Sequence, residues 1–257
     1  MTHYRTIFLS DLHLGMRGCQ AERVLDFIRH HHADRWVLVG DIVDGWALAR
    51  SWTWTQAQND VVQKLLREVR KGAEMVYVPG NHDDAARQFA DLTFGGILVA
   101  REWVHRTADG RRLLVLHGDE FDGVVRLAPW LSKVGARAYE VSLALNALVA
   151  AERGVDGVVC GHIHRPELRT IETAAGATLY ANCGDWVENC TALVEHDDGR
   201  LEVVRWTGVL DRPAPVAAVS GDGRAGWEAP RLAVPPAAGG TLDLSATPPA
   251  PVGAPGR

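Results

Sequence analysis

Five short apolar runs in this chain each end in a compact polar motif, and that repeated arrangement constrains the fold more than any other feature. Residues 6–10, 36–40, 74–79, 112–117 and 156–161 are continuous apolar stretches of strand length, the pattern of strands buried on both faces. They run into Ser10-Asp11-Leu12-His13, Gly40-Asp41, Gly80-Asn81-His82-Asp83, His117-Gly118-Asp119 and Gly161-His162-Ile163-His164. Helical spacing over 20–32 and 54–70 separates the first three runs, which predicts an α/β core around a central sheet. Strands lying side by side would gather the motifs at one edge of that sheet, where open α/β sheets bind ligands.

Beyond Gly161 the pattern changes to short strands near 167–172, 177–182, 190–196 and 200–207, separated by AAG, GD and DDG turns. These predict a second, largely antiparallel sheet packed on the first. From Pro213 to Arg257 lie 9 of the chain's 12 prolines, with 7 glycines and 11 alanines. Such a composition buries too little apolar surface to offset its ordering entropy. Residues 1–210 are therefore expected to form the domain, and 211–257 a disordered tail without a catalytic role. The Leu-, Val- and Ala-rich stretch 124–152 reads as a short helical cap, whose apolar face serves either core packing or an acyl chain.

A formal net charge of -5 over 257 residues gives no field favouring nucleic acid or an anionic membrane, so any phosphate must be bound locally. Cys19, Cys160, Cys183 and Cys190 show no CxxC spacing, as expected of reduced thiols in a cytoplasmic chain. The N-terminal apolar residues read as a strand entering a motif, not as a signal peptide. The longest apolar run, Val141–Ala151, carries Asn146 and falls well short of the roughly 20 residues that span a bilayer. Peripheral membrane contact and oligomeric state stay open.

The motifs offer carboxylate, imidazole and carboxamide donors and no thiolate, a set suited to divalent Mn, Fe or Zn. Alternate residues of an extended segment point the same way, so Asp11 with His13, and His162 with His164, can converge on metal. A glycine before Asp41, Asn81 and His162 lets the backbone turn tightly. Taken singly, DxH or GD is ordinary turn chemistry; five such motifs at five strand ends are not. Arg17, just past the first motif, can grip a phosphate, and Trp46, Trp52 and Trp54 can line a substrate wall. The run His30-His31-His32 reads as surface imidazoles at a helix C-terminus, while Trp36, Trp103 and Trp206 belong to strand patterns in the core.

The order DxH, GD, GNHD, HGD, GHxH over residues 5 to 207 resembles the calcineurin-like metallophosphoesterases. That resemblance implies a four-layer α/β sandwich, two mixed β-sheets flanked by helices, with a dimetal site at strand ends. It implies two divalent ions, commonly Mn2+, with Fe2+ or Zn2+ as alternatives. One ion would be held by Asp11, His13, Asp41 and His164, the other by Asp41, Asn81, His117 and His162, with Asp41 bridging. His82 would stand by the scissile bond as the catalytic group, stabilising the transition state or protonating the leaving oxygen. Asp44, Asp83 and Asp119 would orient imidazoles or backbone. Two divalent ions facing two carboxylates leave about +2 of charge to bind a phosphoryl oxygen and bring the pKa of water from 15.7 toward about 7.

Within the family, SDLHLG, GDIVDGW and the segment 184–206 resemble the branch related to UDP-2,3-diacylglucosamine diphosphatase. This implies a nucleotide-sugar or lipid diphosphate substrate and a step of lipid A biosynthesis. Members of that branch carry Arg at the position of His82, and a longer basic helical lid between the last two motifs. The alternative is a phosphomonoesterase or phosphodiesterase acting on a small soluble substrate, and a third reading is a non-catalytic interaction module on the same fold.

Overall fold

The structure, a computed structural model, describes residues 1–122, 135–173 and 176–208. The tail expected over 211–257 and the first part of the cap, 124–134, lie outside the described residues.

The first half of the chain builds a parallel sheet. Strand β1 (Thr2–Leu9) leads into helix α1 (Ala21–His30) and then β2 (His31–Val39). Two helices follow, α2 (Gly45–Arg50) and α3 (Gln56–Arg70), before β3 (Glu74–Val78). Helix α3 starts at a capping box in which the Thr55 side chain and Gln58 satisfy each other's backbone amides, closing donors that a helix start leaves open. A hairpin of β4 (Thr93–Phe94) and β5 (Ile97–Val99) completes this edge. The second half supplies β6 (Trp103–Arg106), β7 (Arg112–Val115), helix α4 (Gly135–Glu152), β8 (Gly157–Cys160), β9 (Glu167–Thr173), β10 (Gly176–Asn182), β11 (Thr191–Glu195) and β12 (Leu201–Arg205).

These strands form two mixed sheets, ordered β12-β11-β1-β2-β3-β5-β4 and β6-β7-β8-β10-β9. The five motif-bearing strands are therefore divided: β1, β2 and β3 run parallel in one sheet, β7 and β8 in the other. The late strands are divided too. Strands β9 and β10 extend the second sheet, whereas β11 pairs antiparallel with β1 and carries β12 with it. The expected single central sheet and separate antiparallel sheet are thus replaced by two sheets that each take strands from both halves. Strand spacing and length carry no information about which neighbour a strand chooses, so this was beyond a local reading.

Side-chain alternation makes the layers. Ile7 and Leu9 point outward with Trp36, Leu38 and Met75 to meet Val24, Ile28, Val61 and Leu65 of α1 and α3. Phe8, Val37, Val39, Val76 and Val78 point inward onto Leu113, Val115, Val159 and Ala181. The outer face of the second sheet, with Leu114, Leu116, Val158 and Tyr180, is covered by Leu143 and Ala150 of α4. The result is the expected order of helix, sheet, sheet, helix. No helix among the described residues is long and apolar enough to cross a membrane.

Polar groups enter this sandwich too. Glu195 on β11 is fully buried and accepts from Arg5 Nη1 (2.6 Å), Thr6 Oγ1 (2.8 Å), His105 Nε2 (2.7 Å) and Ala108 N (2.8 Å). His105 comes from β6, so one carboxylate ties the two sheets together. Burial pushes against the charged form, but the bonds from His105 and Thr6 outweigh it and hold the Glu195 carboxyl at about 2. His31 departs from expectation: it opens β2, is 5% exposed and tilts against Phe27 at 4.2 Å, with Nδ1 on the Phe27 carbonyl. Helix α1 ends one residue earlier, which turns this imidazole inward.

Candidate metal centre

The five motifs meet across the gap between the two sheets. Backbone bonds lace them: Asp11 N donates to Gly40 O (3.1 Å), His13 N to Asp41 O (2.9 Å) and Gly161 N to His117 O (3.0 Å). His162 N donates to Asp11 Oδ2 at 3.0 Å, and the Ser10 hydroxyl donates to the same carboxylate.

Conformation at the motifs differs from the extended segments expected. Among the described residues seven non-glycines have positive φ, and five of them are Asp11, His13, Asp41, His162 and His164, at 50–68°. A left-handed residue with a Cβ costs about 1–2 kcal/mol, and such strain collects at functional sites. The chain therefore turns at each donor instead of running straight past it. Asp11 and His13 still converge, but His162 and His164 separate into different groups.

Three sets of donor atoms lie within 4.8 Å of one another: Asp11, His13 and His164; His13, Asp41 and His82; and Asp41, His117 and His162. His164 Nε2 is 3.2 Å from Asp11 Oδ1 and 3.3 Å from His13 Nε2. Asp41 Oδ2 lies between the outer sets, 3.3 Å from His117 Nε2 and 3.8 Å from His13 Nε2. Burial pushes Asp41 up, but the His117 imidazole outweighs it and the carboxyl falls to about 2. His117 mirrors this: burial lowers it, and the Asp41 and Asp11 carboxylates raise it to about 10.

Several buried atoms here have no aligned hydrogen bond among the described residues: Asp11 Oδ1, Asn81 Oδ1, His82 Nδ1 and His117 Nε2. Buried polar atoms left unpaired are costly, and four in one place, all potential ligands, fit a cation. His117 Nδ1 is held by Val39 O at 3.0 Å, which turns Nε2 into the site. A Cβ at Gly80 would stand 2.6 Å from that Nε2, so the cradle exists only because residue 80 is glycine.

His82 adjoins the group on the side of Asp44. Its Nδ1 is 3.0 Å from Asp44 Oδ1, and its backbone N–H donates to Asp41 Oδ1 at 2.8 Å. Asp44 also faces His13 Nδ1 through Oδ2 at 3.2 Å and caps α2 through Ala47 N at 2.7 Å. Trp46, on α2, lies over the His82 ring at 4.1 Å between centroids and is 52% exposed. Asp83 turns to backbone, accepting from Gly80 N (2.6 Å) and Ile42 N (2.7 Å). Asp119 does neither job expected of it and instead pairs with Arg87 at 2.6 Å. Arg17 is exposed in the turn after the first motif, Trp52 is 77% exposed and Trp54 packs partly on the core.

Other polar residues escaped the sequence reading. Asp122 stands 2.9 Å from His162 Nε2. Asn182 donates to Gly161 O at 2.7 Å, and Asn189, itself bonded to Asp185, donates to His164 O at 2.8 Å. Together they hold the GHxH loop. Asn189 and Asp185 carried only the signal of a polar cluster after β10, which reads as a turn, while Asn182 at the end of β10 and Asp122 after the His117 motif carried none.

The profile of the calcineurin-like phosphoesterase superfamily domain matches residues 5–197 of this chain. The UDP-2,3-diacylglucosamine hydrolase of Cellvibrio japonicus is 26% identical over 220 residues, covering 70% of this chain and 90% of that protein. A protein of the same name from Xanthomonas campestris is 24% identical over 242 residues, covering 76% and 96%. Among solved structures, an archaeal phosphodiesterase superposes with a TM-score of 0.42 at 12% identity, covering 78% of this chain and 98% of that one.

Proposed function

The chain belongs to the calcineurin-like phosphoesterase superfamily, a family of metal-dependent hydrolases, and from that premise we propose that it cleaves the diphosphate of a UDP-2,3-diacylglucosamine-like nucleotide-sugar lipid. The observation that carries the reading is the convergence of donors, with buried unpaired atoms on Asp11, Asn81 and His117. Support for the substrate comes from the two relatives named for UDP-2,3-diacylglucosamine hydrolysis. Asp11, His13, Asp41 and His164 would hold one divalent ion, and Asp41, Asn81, His117 and His162 the other, Mn2+ being our choice. When bound, the ions supply Lewis-acid charge and lower the pKa of water from 15.7 toward about 7.

The protein's own part is orientation and proton handling. Asp44 Oδ1 stands 3.0 Å from Nδ1 of His82, which leaves Nε2 as the atom that can pass a proton to a leaving oxygen. Trp46 limits water on one side of that ring and offers a flat surface to a substrate. Arg17 is the cation we assign to a substrate phosphate. On this reading the enzyme works in the cytoplasm, in lipid A biosynthesis, reaching its lipid at the membrane surface.

One observation favours a second reading, a phosphomonoesterase or phosphodiesterase acting on a small soluble substrate. In α4, Leu143, Ala147 and Ala150 are buried, and Leu145 and Val149 pack on the second sheet, so most of the described apolar surface of this helix is already used. Leu148, 55% exposed, is the large apolar side chain it leaves to solvent among the described residues. A metal-supplemented activity screen across UDP-diacylglucosamine, CDP-lipids, nucleotide-sugars and aryl phosphates decides between the two. Steep dependence of KM on acyl length, about 0.8 kcal/mol per buried methylene, supports the lipid; indifference to acyl length overturns it.

A further inference from the structure

Arg29 of α1 and Lys64 and Arg67 of α3 line one cleft of about 210 Å³ in the outer helical layer, together with Leu25, Asp60 and Gln63. Two carboxylates stand close by, Asp60 in the wall itself and Glu68 behind Lys64. Lys64 donates to Glu68 at 2.8 Å, and Glu68 also accepts from Lys71 at 3.1 Å. Asp60 accepts from Gln56 at 2.7 Å along its own helix. Neither Arg29 nor Arg67 forms an ion pair among the described residues, and both are exposed.

The helix macrodipole favours a basic residue in a last turn, and Arg29 and Arg67 occupy the last turns of their helices. That accounts for either arginine alone. It does not account for two guanidinium groups and an ammonium facing one recess with a buried apolar residue, Leu25, in its wall. Lys64 already has Glu68 as a partner, but Arg29 and Arg67 have none among the described residues, and an anion between them would offset their like charge. Arginine forks match the paired oxygens of a tetrahedral oxyanion. The net charge of -5 argues for a compact anion, since a polynucleotide needs an extended basic field.

We propose that this cleft binds a phosphate group, carried either by a soluble phosphorylated molecule or by a phospholipid headgroup. It is separate from the candidate metal centre. Arg29 lies two residues before β2 begins at His31, and Asp41 lies two residues after β2 ends at Val39, so the nine-residue strand puts roughly 30 Å between them.

Calorimetric titration of the full chain with sodium sulfate, a tetrahedral anion that cannot be hydrolysed, tests this. Asp41→Asn protein serves as the background, so that binding at the metal centre does not contribute. One sulfate per chain is expected, weakened at least tenfold by Arg29→Gln with Arg67→Gln, and partly restored when both are Lys. Circular dichroism melting identical to the parent's establishes that the variants are folded. Co-sedimentation with phosphatidylglycerol against phosphatidylcholine vesicles then separates the sources. Arginine-dependent binding to the anionic vesicles identifies a headgroup site, and sulfate binding without it identifies a soluble phosphate. Absence of both, or affinities unchanged in the double variant, overturns the proposal. No readout depends on hydrolysis, so failure here leaves the proposed activity untouched.

Discussion

Two clusters of buried polar groups lie between the same pair of sheets, and they differ in whether the protein completes them. At Glu195 four donors from two strands and a turn meet two carboxylate oxygens, and the carboxylate is saturated. Five residues beyond Thr6, at Asp11 just past the end of β1, the second cluster begins, and there Asp11 Oδ1, Asn81 Oδ1, His82 Nδ1 and His117 Nε2 are left without a hydrogen bond. The first cluster has one loose end, His105 Nδ1. The contrast separates a polar group retained for cohesion from one retained for a ligand: cohesion requires internal closure, whereas a ligand site must leave its valences pointing at one another.

The sharpest way to break the comparison is to remove the shared member of the open cluster. Asp41→Ala should lower turnover by on the order of 10³-fold or more, the scale on which metal chemistry contributes, and take bound metal toward zero per chain. Activity assays with elemental analysis check this, and unchanged stoichiometry would end the bridging assignment. The matching change in the closed cluster, Glu195→Ala, should leave metal content intact and instead cost about 3–5 kcal/mol of stability, as expected when a buried pair loses one partner. Urea unfolding measures it.

Next in size, His82→Asn should keep both ions and reduce kcat by about 10²-fold, less for an aryl phosphate whose leaving oxygen needs no proton. Equal losses on both substrates would reduce His82 to an electrostatic role. Metal should also act on only one cluster: a divalent ion at 100 times its Kd should add about 2.7 kcal/mol to stability. Calorimetric melting with Mn2+ and with chelator should show this rise in wild type and in Glu195→Ala, and not in Asp41→Ala.

The smallest effect concerns acid. The Glu195 carboxyl, held at about 2 against an ordinary 4.5, contributes stability that is fully present above 4.5 and is lost as pH falls toward 2. Stability curves over that window should be flatter for Glu195→Gln than for wild type. Parallel curves would show that the Glu195 bonds form equally well to the neutral acid.

How much of this was legible in the sequence depends on how local each feature is. The motif-bearing strands and the two long helices of the first sheet follow from runs and spacings of a few residues, as does the identity of the donors. Sheet membership was not legible: β11 joins β1 through Thr6 opposite Glu195, 189 positions apart. The Glu195 cluster was invisible for the same reason, since Arg5, His105 and Glu195 share no motif. Convergence of the donors could be expected from strand ends, but their left-handed backbone could not, because no local pattern there calls for it. Leu145 illustrates a further limit: apolar periodicity in α4 is the same whether a residue meets the sheet or a ligand, and here it meets the sheet.

The left-handed donors also bear on how such a chain would age under relaxed selection. Glycine tolerates that conformation freely, so at Asp11, His13, Asp41, His162 and His164 a glycine substitution that removes a candidate donor also releases backbone tension. A lineage that no longer needs hydrolysis would be drawn toward glycine at these five places, growing sturdier as it loses its chemistry.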